Sequence, residues 1–127
     1  MRKAAAVVLL VTLTACAPAS GKSQASAAAS RFAAALSSRN GVAACAVLTD
    51  AARTSLETGS GQNCAQAILD VHSSAGAATA KVWGQEAQVK LGTDTLFLDE
   101  TKRGWRVRAA GCRLQSPDQP YQCEVAA

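Results

Sequence analysis

The chain predicts an α+β domain, with helices first and an antiparallel sheet after them. Three observations carry this. Apolar side chains recur at steps of three and four residues up to about residue 75, the period of an amphipathic helix. From about Ala80 the period falls to two, as Ala87, Val89 and Leu91 alternate with Glu86, Gln88 and Lys90. Polar turns carrying glycine then separate short runs of strand-forming residues. Helices in one block and strands in the next mark α+β architecture, since a parallel α/β sheet would need the two to alternate.

A leader precedes the domain. Arg2-Lys3 supply positive charge, Ala4 to Ala15 form an apolar run of twelve residues, and Ala15 stands directly before Cys16. A secretory signal peptide has these parts in this order. Leu13-Thr14-Ala15-Cys16 resembles the lipobox of bacterial lipoproteins. That resemblance implies diacylglyceryl transfer to the Cys16 sulfur and cleavage before Cys16. The alternative is an ordinary signal cut near Ala17 or Ala19, with Cys16 incidental. The apolar run is shorter than the roughly 20 residues a spanning helix needs. Two acyl chains on one cysteine hold a protein stably where one would not. The expected organisation is a signal at residues 1–15, a lipid-anchored tether at 16–26, and one α+β domain at 27–127.

Once Arg2 and Lys3 leave with the signal, eleven basic residues face nine acidic ones. This near balance gives no argument for nucleic acid, to which an exported domain has no access. Aromatic residues are few, namely Phe32, Trp83, Phe97, Trp105 and Tyr121, and alanine is abundant. Such a core buries little area per residue, so a small domain of this kind needs covalent help. Cys45, Cys64, Cys112 and Cys123 supply it, an even count in an exported chain reading as two disulfides. Of the three connectivities, Cys45–Cys64 with Cys112–Cys123 joins neighbouring elements. No CxxC pair exists and His72 is the single histidine, so no metal and no cofactor is expected.

The elements follow in order. Residues 24–38 read as a first helix with Phe32, Ala35 and Leu36 on one face, closed by Gly41 in the C′ role. Residues 42–56 read as a second, with Val42, Cys45, Leu48, Ala52 and Leu56 on one stripe. Thr58-Gly59-Ser60-Gly61 breaks it, and a third helix is expected over 63–74 with Cys64, Ile68, Val71 and Ala75 inward. Both cysteines lie on apolar stripes, where packed helices meet. A meander follows: a strand through Ala87–Leu91, a turn at 92–94, a strand at 95–99, a turn at 100–104 and a strand from Trp105. Val82 and Trp83 are expected ahead of a bulge at Gly84. Cys112–Cys123 would pin the tail to the last strand.

Gly104-Trp105-Arg106-Val107, closing a run of antiparallel strands behind a helical half, resembles the nuclear transport factor 2-like, cystatin-like cone fold. The string from Gly104 to Cys112, followed by Pro120 to Val125, is similar to small actinobacterial lipoproteins of unassigned function. The resemblance implies a curved sheet with helices packed on it, sometimes around a pocket. Some relatives are isomerases, dehydratases or cyclases, which need acid/base groups in that pocket. Asp50, Asp70, His72 and Tyr121 are the candidates here, but Asp70 and His72 would point about 200° apart on a helix and form no local dyad. No catalytic residue is therefore assigned. Trp83 and Trp105 are candidates to line a pocket in the cone. Arg106 and Arg108, on the face of their strand opposite Trp105 and Val107, are candidates to meet an anionic surface such as lipid headgroups or wall polymers. The expected role is a non-catalytic envelope lipoprotein, tethered through its diacylglyceryl group and binding an envelope protein or a small apolar ligand. The alternative is a small isomerase- or hydrolase-like enzyme.

Overall fold

Ser20 opens the described part of the computed structural model, residues 20–127, and it does so as a helix cap. Its hydroxyl accepts from the Ser23 backbone N–H at 3.2 Å, and α1 runs Gly21–Ser37. Residues 21–26, expected in the tether, are thus the first turns of a helix, and Ala25 is fully buried. Alanine causes this: it is the best helix former, and it lets the helix sit close on whatever it faces. The signal expected at residues 1–15 and the lipidation expected at Cys16 lie outside the described residues.

Gly41 does not close α1. The left-handed residue is Arg39 (φ 53°), and Asn40 caps a new helix by accepting from Ala43 N–H at 3.0 Å. Gly41 opens α2 (Gly41–Ala46), where a Cβ would run into the Ala65 carbonyl. The expected helix over 42–56 is two helices, α2 and α3 (Asp50–Ser60), parted by Val47-Leu48-Thr49. That break is tertiary in origin. Thr49 N–H donates to the Val107 carbonyl (2.9 Å) and Val107 N–H donates to the Val47 carbonyl (2.8 Å), so the segment lies along a strand. Thr49 then caps α3 through Ala52 N–H. The helix expected over 63–74 shrinks to α4 (Cys64–Ala67) and a 3₁₀ turn, Ile68–Asp70. Cys45 and Cys64 are joined, which ties α2 to α4.

Five strands form one antiparallel sheet in sequence order: β1 (Ala78–Trp83), β2 (Glu86–Leu91), β3 (Asp94–Thr101), β4 (Gly104–Arg113) and β5 (Gln122–Val125). Val82 and Trp83 belong to a strand of their own, and Gly84 (φ 57°) leads a two-residue turn in place of the expected bulge. The register breaks occur instead where β3 pairs β4, between Thr95 and Phe97 and between Phe97 and Leu98, with Gly111 (φ 64°) in the first. Bulges of this kind bend a strand and sharpen its twist. Cys112 and Cys123 are cross-strand partners and form the second disulfide, so the tail becomes the edge strand β5. β5 reaches only as far as Ala110 on β4, and Val47–Thr49 bonds to β4 beyond that point.

α1 lays its Phe32 along the sheet over Leu91, Leu96, Leu98, Val89, Val107 and Trp105, and these side chains form the buried core with Ile68. Its start, Gly21, lies beside Val82 and Trp105. Its end, Ser37-Ser38, lies beside Ala75, Gly76 and Leu91. The molecule therefore has two poles. One holds the start of α1 with the β1–β2 and β3–β4 turns; the other holds the β2–β3 turn. The eight residues of β3 put these poles about 25 Å apart.

Candidate functional site

The pole remote from the start of α1 carries a polar cleft. Four pieces of chain build it: the loop after the 3₁₀ turn, the Gly92-Thr93 turn, the end of β4, and β5. Gly92 (φ 61°) holds the turn against that loop so closely that a Cβ would meet the Ala75 carbonyl. Ser74 Oγ lies 2.7 Å from Thr93 Oγ1, and Ser74 N–H donates to Asp94 Oδ2 at 3.1 Å. Glu124 grips His72 twice, accepting from its backbone N–H at 2.7 Å and lying 2.6 Å from Nδ1. A carboxylate only accepts, so Nδ1 carries the proton in this contact. The cleft has a volume of about 470 Å³ and is lined by His72, Ser73, Ser74, Thr93, Asp94 and Arg113.

Asp94 is 8% exposed. Burial pushes its carboxyl above the ordinary range, and the Glu124 charge adds to this. The Ser74 N–H, Arg113 and His72 pull the other way. Ser73 Oγ is buried with no hydrogen-bond partner among the described residues. The cleft thus offers a cation, hydroxyls and carboxylate oxygens within one polar lining. Such a surface recognises a polar partner through hydrogen bonds and charge.

The chain matches no family model, no curated protein and no solved structure. Among the described residues, no three His, Cys, Asp or Glu side chains are placed to hold a metal ion, and no helix is long and apolar enough to cross a membrane.

The structure separates several residues that the sequence put together. Trp105 is 4% exposed in the core, while Trp83 is 57% exposed. Val82 packs on the core and its neighbour Trp83 faces outward, so the two tryptophans do not share a pocket. Aliphatic side chains and Phe32 fill the space between α1 and the sheet where such a pocket was expected. Arg106 and Arg108 also part company. Arg108 Nε sits 3.1 Å from Asp99 Oδ1 without the angle of a hydrogen bond, and its guanidinium lies 5.9 Å from the Phe97 ring centre. Arg106 donates to the Trp105 carbonyl at 3.2 Å and lines a second cleft, at the other pole, with Arg31 and Arg103.

Of the acid/base candidates, only His72 reaches the polar cleft. Asp50 pairs with Arg103 at 2.6 Å in solvent, and Asp70 is exposed at the end of its 3₁₀ turn. The Tyr121 hydroxyl accepts from Gln88 (3.2 Å), and its ring meets Phe97 edge-on with centroids 5.3 Å apart. Asp94 and Glu124 escaped sequence reasoning. Glu124 meets His72 across 52 residues, and no local pattern announces that pairing.

Proposed function

We propose that the chain is an envelope lipoprotein, held at the extracytoplasmic face of the membrane by a lipid on Cys16, with a domain that binds and does not catalyse. The observation that carries this reading is Leu13-Thr14-Ala15-Cys16 behind Arg2-Lys3 and an apolar run, followed within five residues by the first helix. Two disulfides support it, because they persist in oxidising surroundings and are rare in the cytosol. Helices laid on a bulged five-strand meander support the resemblance to the nuclear transport factor 2-like cone. The filled interior favours a binding role over the isomerase or hydrolase alternative, which asks for an acid/base pair inside a pocket.

Anchoring at Cys16 puts the start of α1 next to the bilayer and the His72–Asp94 cleft at the far pole, facing outward. A polar loop or tail of an envelope protein fits that cleft better than a small apolar ligand. Cys16→Ala tests the address: the variant should be unprocessed or leave the membrane fraction, whereas full retention of a processed chain would refute lipidation. A photocrosslinker at Thr93 tests the cleft: an adduct in cells should disappear with Arg113→Ala, and an adduct indifferent to Arg113 would rule the cleft out.

A further inference from the structure

The anchor-proximal pole carries a second cleft of about 310 Å³, between α1 and the β3–β4 hairpin. Arg31, Arg103 and Arg106 line it, with Trp105 at its wall. We propose that this cleft holds the phosphate of an anionic lipid headgroup from the bilayer in which the anchor sits. The proposal deepens the anchoring reading and rests on it.

Its donors are unusually free. Trp105 is almost fully buried, yet its Nε1–H finds no acceptor among the described residues, and neither does Arg106 Nε. Buried donors are ordinarily paired, and these two unpaired ones sit on adjacent residues that both line the cleft. Arg31 makes no ion pair among the described residues. Arg103 gives one Nη to Asp50 in solvent, which leaves most of its five donors available. Arg31, Arg103 and Arg106 bring three guanidinium groups, which only donate, to a cleft whose other polar side chain is Gln24, and a phosphate group is all acceptor.

Location decides the source of that phosphate. Four peptide units link Cys16 to Ser20, a reach of at most about 15 Å, so the lipidated residue stays near this pole. Trp83, exposed on the neighbouring hairpin, is of the type enriched at membrane–water interfaces. A dissolved phosphate would need neither feature.

The test uses the full lipidated chain in nanodiscs of phosphatidylcholine, with and without phosphatidylglycerol. Trp105 has one indole Nε1–H resonance, assigned with Trp83→Phe. It should shift with phosphatidylglycerol and stay put in phosphatidylcholine alone. Arg31→Gln and Arg106→Gln, both at the surface of the cleft, should each weaken the response about fivefold. Millimolar inorganic phosphate should not reproduce the shift in phosphatidylcholine discs; if it does, the lipid source is refuted. A lipidated Cys16, read from the intact mass, with an unmoved indole overturns the cleft and leaves the anchor standing. An unlipidated Cys16 overturns both.

Discussion

Asp94 shows how one residue can tie stability to pH. Its carboxyl sits above the ordinary range because burial disfavours the charge, so the native state holds that proton more tightly than the unfolded chain does. The sign follows. Stability from this group is complete below the unfolded carboxylate value of about 3.9 and is lost as pH rises through the raised native value. Asp94→Asn keeps an acceptor for the Ser74 N–H and removes the titration. Urea midpoints taken from about pH 4 upward should show the variant gaining on the wild type as pH climbs. A gap that does not change with pH would refute the argument. Gly41 offers a steric test at the same scale. Gly41→Ala drives a methyl into the Ala65 carbonyl and should cost about 1–3 kcal/mol in chemical denaturation. None of this was legible locally. Asp94 read as a turn residue and Gly41 as a helix stop, because the chain that presses on each arrives from elsewhere.

Among the elements, the short ones depend most on covalent and tertiary support. α2 has six residues and α4 has four, lengths at which an isolated helix does not persist in water. The Cys45–Cys64 bridge closes a separation of 19 residues and should contribute about 3 kcal/mol in the chain-entropy model. The Cys45→Ala/Cys64→Ala double variant should lose about that much in urea titration, with the far-UV helical signal falling first. Thr49 is the other joint, since it both bonds the Val107 carbonyl and caps α3. Thr49→Ala keeps the backbone bond and loses the cap, so about 1 kcal/mol should go. The pairing of all four cysteines was readable from spacing, because each bridge joins neighbouring elements. The break between α2 and α3 was not. Val42, Cys45, Leu48, Ala52 and Leu56 keep helical spacing straight through it, and only the open edge of β4 draws Val47–Thr49 out of the helix.

For the whole molecule, the two poles are the feature that orders everything else. Strand parity in the meander puts the β1–β2 and β3–β4 turns at one end and the β2–β3 turn at the other. With the chain anchored as proposed, Lys102 in the β3–β4 turn faces the bilayer and Lys90 at the far end of β2 faces away. A membrane-impermeant amine reagent applied to spheroplasts should modify Lys90 faster than Lys102. Equal rates would refute the orientation.

Periodicity and cysteine spacing by themselves determined the class of this domain, its order of helices before strands, and its two bridges, because each of these depends on residues near one another in the chain. The tertiary structure alone decided which tryptophan is buried, where the helices break, that His72, Asp94 and Arg113 share a cleft, and that Glu124 holds His72 there. Those outcomes turn on backbone edges and side chains that meet across dozens of residues. A local pattern carries no trace of a partner so far away.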